Sequence, residues 1–417
     1  MRLGLTRDDP ASPDLEGLTG GVLDRRLLAK SPRPVAVALS GGGDSLALLL
    51  LVRAWAKRAG RELLVLTVDH GLQPESAAWT GTCSATATRL GLAFEALAWT
   101  GEKPATGLSA AARQARHRLL AQAARRAGAR VMLMGHTADD ILEARLMRAR
   151  GSTTPDPREW SPSPVWPEGR GVFLLRPLLG LRRAEIRDWL AGQGETWIED
   201  PANASPASAR ANARRDIAIG ASGPEPASDE APARALALAC EMDGHGILTI
   251  ARLALRTEPP DAAVRFLSAA CLCAAGTDRP PARARVVRLA ERLRGREAFA
   301  ATLAGARIEA DEGQVHMLRE AGEAARGGLR PLTLAAGETG VWDGRFEITT
   351  DRAMSIVSSA GLRSELPPAD RKTLMALPTR ARDGLPVVLD GPRLAHARPL
   401  SLERLLAACG AVAREPA

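Results

Sequence analysis

An α/β architecture, a doubly wound parallel sheet followed by a helical middle region and a small β-rich tail, follows from three observations on the sequence. Short apolar runs at 34–39, 63–68, 92–98 and 130–134 alternate with helix-length amphipathic stretches. The first run ends in a glycine-rich turn, Ser40-Gly41-Gly42-Gly43-Asp44-Ser45. The chain has 417 residues, too many for one ordinary core.

In order, strand 34–39 leads through the turn to a helix over 46–58, strand 63–68 to a helix over 75–90, and strand 92–98 to a helix over 109–127 that Ser109 can cap. Strand 130–134 precedes a helix over 141–150. Strict alternation of this kind makes a Rossmann-like sheet with ligands at the carboxyl ends of its strands. A Pro/Ser-rich loop fills 151–170, a helix is expected at 183–191, and 220–232 reads as a linker. The expected domains are an N-terminal extension at 1–33, the sheet domain at 34–219, a mainly helical middle domain at 233–321 and a C-terminal domain at 331–417. The last carries a hairpin at 341–349 around Asp343-Gly344.

Composition narrows the partner. The formal charge is +8, and Lys occurs only at 30, 57, 103 and 372, so the excess is arginine. Arginine makes bidentate contacts to phosphate, which favours a polyanion. With 3% aromatics and no Tyr, cores rest on aliphatic residues and stacking on bases is a minor device. The cysteines at 83, 240, 271, 273 and 409 form no Cys-x-x-Cys pair, so neither a disulfide framework nor a zinc motif is indicated. No apolar signal core or membrane-length run is present, and a cytoplasmic location is expected.

The turn at 40–45 carries the strongest chemistry. Three glycines let backbone N–H groups approach phosphate, and the helix that follows adds its positive N-terminal end. No Lys follows the glycines, so this is not a Walker A loop. Asp44 repels phosphate unless it caps the helix or holds a cation.

The segment resembles the PP-loop of the N-type ATP pyrophosphatases. Further blocks follow in order: Val68-Asp69-His70-Gly71-Leu72; Ala111-Ala112-Arg113-Gln114-Ala115-Arg116-His117; Gly135-His136-Thr137-Ala138-Asp139-Asp140 with Glu143 and Arg148–Ser152; Arg176-Pro177-Leu178-Leu179; Trp197–Asn203; and Arg210-x-Asn212-x-x-Arg215. Over residues 34–215 this ordered set resembles the tRNA(Ile)-lysidine synthases, with departures at His117, Ile141 and Ala144.

The resemblance implies a ligase that adenylates the first anticodon cytidine of tRNA(Ile) with anticodon CAU, releases pyrophosphate, and then joins free L-lysine to C2. It implies ATP and Mg²⁺ as cofactors, no membrane, and the C-terminal domain as a tRNA-binding candidate. Ser40, Gly41, Gly42, Gly43, Asp44, Ser45, His70 and His136 become ATP-binding candidates. Asp44, Asp140 and Glu143 become catalytic candidates, with Asp44 and Asp140 also for Mg²⁺. Arg113, Arg116, Asp139, Glu199, Asp200, Asn203, Arg210, Asn212 and Arg215 become candidates for lysine or tRNA contact.

Asp140 and Glu143, three apart, share a helix face if that helix starts near Ala138. They can hold a metal, bind an ammonium, accept its proton, or serve as a cap and a solvated face. The arginines at 283, 285, 288, 292, 294 and 296 crowd one helix, on which 285, 288 and 292 share a face and can meet tRNA phosphates. The rival reading is a PP-loop tRNA thiolation enzyme. It needs a sulfur-carrying thiolate near the phosphate loop, and no cysteine is expected beside Ser40–Ser45.

Overall fold

The computed structural model describes residues 14–152, 156–199, 209–218 and 230–417. The chain divides into two units, Met1–Ala227 with Ala413–Ala417, and Ser228–Val412.

The first unit runs α1 (Leu15–Arg26), β1 (Val35–Ala38), α2 (Gly43–Ala59), β2 (Leu63–Asp69), α3 (Ser76–Arg89), β3 (Ala93–Ala98), α4 (Leu108–Arg126), β4 (Val131–Leu133), α5 (Ala138–Ala149), β5 (Trp160–Pro162), β6 (Phe173–Leu175), α6 (Arg183–Gly192) and α7 (Ala209–Ala218). Strand order is β3-β2-β1-β4-β6-β5, parallel except for β5. Helices cover both faces, which is why Val35, Ala36 and Val37 are all buried despite pointing alternately to opposite sides. The chain leaves β1 for β2 on one side and reaches β4 on the other, so the crevice between β1 and β4 is the topological switch point.

Local differences from the sequence reading have clear causes. α2 begins at Gly43, drawn back by the glycine turn. α4 begins at Leu108 with Gly107 as its cap, at φ 68°, so Ser109 lies inside the helix and does not cap it. α1 occupies part of the expected extension, and its Asp24 accepts a 2.7 Å hydrogen bond from the Trp55 indole of α2. β5 forms within the Pro/Ser-rich loop, where Trp160 stacks on Phe173 at 4.9 Å. The chain's last residues return to this unit: Glu415, 3% exposed, accepts from Arg61 Nη1 and Nη2 at 2.9 Å each and from Leu28 N at 2.9 Å.

The second unit opens with α8 (Ala231–Leu238), β7 (Glu241–Met242), β8 (Leu248–Ala251), α9 (Arg252–Thr257), α10 (Pro260–Ala275), α11 (Arg283–Arg294), β9 (Phe299–Leu303), β10 (Ala306–Ala310) and β11 (Gln314–Arg319). Its helices pack on an antiparallel sheet of order β7-β8-β11-β10-β9, so the stretch expected to be mainly helical also contains a sheet. β12 (Leu332–Leu334), β13 (Thr339–Trp342), β14 (Phe346–Thr349), β15 (Met354–Ser358), α12 (Pro368–Ala376), β16 (Pro386–Val388), β17 (Arg393–Leu394), β18 (Arg398–Pro399) and α13 (Ser401–Ala408) follow, forming two small sheets. β13 and β14 pair across Asp343-Gly344, both at positive φ. No described helix is long and apolar enough to cross a membrane.

Candidate functional site

The phosphate loop sits at the switch point and is braced from within. Ser45 Oγ donates to Gly42 O at 2.9 Å and lies 3.1 Å from Ser40 Oγ. Gly41 stands at φ 82°, where a Cβ would lie 2.4 Å from Ile198 Cδ1. Only glycine meets both demands. Ile198 N donates to Gly41 O at 2.9 Å and the Trp197 ring packs against Gly43, so the Trp197–Glu199 segment lies on the loop. Gly135, after β4, approaches α2 so closely that a Cβ would stand 2.9 Å from Asp44 O. Two strand ends thereby bring their motifs together.

One expectation is corrected here. Cys83 of α3 does reach the phosphate loop, because the inner face of that helix packs against the end of β1. Its Sγ would lie 3.3 Å from a Cβ at Gly41. It is 1% exposed, and burial raises its thiol pKa, so it packs as an apolar group and not as a thiolate.

Opposite the loop, α5 presents its carboxylates. Asp140 caps the helix by accepting from Thr137 N at 2.9 Å, and also faces the crevice. Arg183 of α6 donates to Asp44 Oδ2 at 2.9 Å, Asp140 Oδ2 at 3.3 Å and Glu143 Oε1 at 2.9 Å. Arg210 of α7 donates to Glu143 Oε2 at 2.7 Å and Asp140 Oδ1 at 3.0 Å, and Arg214 to Glu143 Oε1 at 2.8 Å. Three carboxylates thus meet three guanidinium groups. Burial raises the Asp44 carboxyl, opposed by Arg183. Burial also pushes Asp140 up, but Arg210, Arg183 and the Thr137 N–H outweigh it and hold this carboxyl below its usual range.

The remaining candidates fall around this center in different ways. Burial, with Arg176 beside it, lowers His136 to about 3, so the ring is neutral, and its Nδ1 accepts from Arg176 Nε at 3.1 Å. Arg176 and Arg116 are pulled down to about 10 by burial and remain charged at neutral pH. Arg113, also lowered by burial, is beside them on α4, as is His117, lowered to about 2. His70 follows β2, edge-on to Trp99 at 6.1 Å, with its Nδ1 buried and unpartnered. Asp139 turns away from the loop to hold the start of α6, accepting from Arg183 N at 2.8 Å and Arg182 Nη2 at 3.0 Å. Glu199 is engaged by Trp197 Nε1 and Arg187, and Asn212 by Arg215. Asp200 and Asn203 lie outside the described residues.

Sequence reasoning missed Arg183, Arg214 and Arg176 as site residues. The signal for Arg176 was its place just past β6, a further strand end of the parallel sheet, whereas Arg183 opens α6 and carried no such signal.

In the second unit, α11 buries Val286, Leu289 and Leu293 and turns Arg285, Arg288 and Arg292 into a groove of about 320 Å³ shared with β9. Among the described residues none of the three has an acidic partner, and Arg292 lies 3.9 Å over the Phe299 ring. Arg283 is held by Asp261, and Arg294 by carbonyls of Leu255, Arg256 and Glu258.

The carboxylates have the hard oxygens that magnesium prefers. Yet among the described residues no group of three or more metal-ligating side chains is gathered for an ion. Asp44 and Asp140 each give an oxygen to Arg183 instead.

The sheet, its switch-point crevice and the loop define a nucleotide-binding protein of the PP-loop class, and the PP-loop domain family matches residues 22–219. A tRNA(Ile)-lysidine synthase of Caulobacter vibrioides is 52% identical over 88% of this chain and 86% of its own length. One from Hyphomonas neptunium is 37% identical over 75% and 88%. Among solved structures, a U34-tRNA thiolase with its [4Fe-4S] cluster from Methanococcus maripaludis is similar at TM-score 0.41 and 16% identity, over 49% of this chain and 72% of that one. This chain belongs to the tRNA(Ile)-lysidine synthase family.

Proposed function

We propose that the chain joins free L-lysine to the first anticodon cytidine of tRNA(Ile) with anticodon CAU, in two steps driven by one ATP. In the first, the base O2 attacks the α-phosphate, a P–O bond forms, and pyrophosphate leaves. In the second, the lysine amine gives up a proton and attacks C2, and AMP departs with the C2–O bond. The target base lies in a single-stranded loop, so no duplex need open.

One observation carries this reading: at the switch point Arg183 joins Asp44 of the phosphate loop to Asp140 and Glu143 of α5. Loop N–H groups and arginines suit phosphates that gain charge as pyrophosphate leaves. Asp140 and Glu143 suit an ammonium whose free pKa is about 10.4, and which must lose a proton before it attacks. Asp140, held ionised, suits attraction of the ammonium, while its lowered carboxyl is a weak base for the proton itself. As they stand, Asp44 and Asp140 are engaged by Arg183 and do not fit a protein-held magnesium ion. Residues 34–219 would form the catalytic domain. The groove of α11 supports contact with tRNA phosphates, and 331–417 remains a tRNA-binding candidate.

The test is incorporation of radiolabelled lysine into bulk tRNA with ATP. Label should enter only when ATP is present, with one pyrophosphate per lysine, and Asp44→Ala should abolish pyrophosphate release. Absence of lysine in tRNA, or full release by the Asp44 variant, sinks the reading.

A further inference from the structure

Arg183 spends one planar fork on three carboxylates. Nε serves Asp44, Nη2 serves Asp140 and Nη1 serves Glu143, at 2.9, 3.3 and 2.9 Å. Asp44 belongs to the phosphate loop and the other two to α5, so this guanidinium ties together the two halves of the crevice. Its backbone is fixed as well, through the hydrogen bond from its N–H to Asp139 Oδ2 at 2.8 Å. The side chain is 17% exposed, and its proton is held more tightly than usual: burial opposes this, but the three acids prevail.

The partners are not equally dependent on it. Asp140 also has Thr137 and Arg210, and Glu143 also has Arg210 and Arg214. Among the described residues Asp44 has an ion pair with Arg183 alone. Removing Arg183 therefore leaves Asp44 without its ion-pair partner, with Arg187 as its remaining positive neighbour, and takes one positive charge out of surroundings where charges interact more strongly than in water.

We propose that Arg183 is the resident counter-ion of this site. It is a positioning residue that holds the phosphate loop's Asp44 against α5, where a bound cation would otherwise be needed. The free protein then keeps its carboxylates in place without a metal. Phosphate is a strong partner for an arginine fork. Nucleotide in the loop draws Arg183 away from Asp44, a step that rests on the reading of the loop as the ATP site.

The experiment titrates Mn²⁺ alone into the nucleotide-free full chain and follows the free ion by electron paramagnetic resonance. Wild type should bind none at this site. Arg183→Gln should bind one ion, at Mn²⁺ concentrations at least about tenfold below any at which wild type binds. The double variant with Asp44→Asn should lose it, and Arg183→Lys, which keeps the charge, should still exclude the ion. A folded Arg183→Gln protein that binds no Mn²⁺ overturns the proposal, as does wild type binding it equally well or Arg183→Lys binding it like Arg183→Gln. If Arg183→Gln fails to fold in chelator, Mg²⁺ should restore folding, and a protein that stays unfolded in millimolar Mg²⁺ also overturns it. Because no ATP, lysine or tRNA is present, failure of lysidine formation by wild type would sink the proposed reaction and leave this result intact.

Discussion

Replacing Glu143 by Gln preserves shape and removes one charge at the most enclosed point of the site. The Glu143 side chain is fully buried; its Oε1 accepts from Arg183 and Arg214, and its Oε2 from Arg210. An amide keeps one accepting oxygen, while its NH₂ aims hydrogen at a guanidinium donor, so at least one N–H loses its partner. Removing one member of a buried ion pair costs about 3–5 kcal/mol. Arg210 and Arg214 are 39% and 30% exposed, so water softens the loss and the lower end, about 3 kcal/mol, is expected. For a unit of this size that lowers Tm by roughly 6–12 °C. If Glu143 also serves the lysine step, transfer should fall about 100-fold or more, the usual scale for loss of a proton acceptor. Pyrophosphate release, which involves no ammonium, should fall less. Single-turnover measurements of both products on one sample separate the two effects. Wild-type lysine transfer at an unchanged Tm would refute the reasoning, and an equal loss of both products would move Glu143 to the nucleotide step.

Three further outcomes are expected. Changing Arg285, Arg288 and Arg292 to Gln should weaken tRNA binding and reduce the slope of log K against log salt by roughly 0.7–0.9 per lost phosphate contact; an unchanged slope means the groove is only solvated. Burial raises Cys240 and Cys271 to about 12 and Cys273 to about 11, so fewer than about one thiol in ten thousand is ionised at pH 7. A folded variant lacking all five cysteines should still add lysine, detected as the mass of lysine less water, and a wild-type product gaining sulfur instead would establish thiolation. His117 and His136 are buried neutral, with folded values of about 2 and about 3 against about 6.5 unfolded. Their contribution is complete above about pH 6.5 and is lost as pH falls toward the folded values, so the Tm of the first unit should drop from pH 7 to pH 4. His117→Gln should flatten that slope, and a wild-type Tm independent of pH in this range would contradict the assignment.

The parts legible from sequence are those written in contiguous residues. Apolar runs alternating with helices identify the parallel sheet, because local periodicity states which side chains leave water. Ser40–Ser45 reads as a phosphate loop because three adjacent glycines at a strand end have few other uses. The spacing of Asp140 and Glu143 puts both on one face, since the helix turn alone decides that. Even the Asp343-Gly344 hairpin is visible in two residues that tolerate positive φ.

What tertiary structure alone decided is which partner each of these residues meets. Arg183 lies 139 positions from Asp44 and looked like an ordinary helix start until α6 was laid beside the phosphate loop. Arg214 carried no signal separating it from its neighbour Arg215, yet one reaches buried Glu143 and the other stays exposed on the same helix. Cys83 seemed remote from the loop because its helix follows a different strand, and only packing of α3 against the end of β1 brings its sulfur beside Gly41. Glu415 and Arg61, 354 positions apart, bury their charges together, although neither sequence neighbourhood shows it. Periodicity records that a side chain turns inward. Which charge waits for it there depends on the register between elements distant in sequence, and that is set only when the whole core closes.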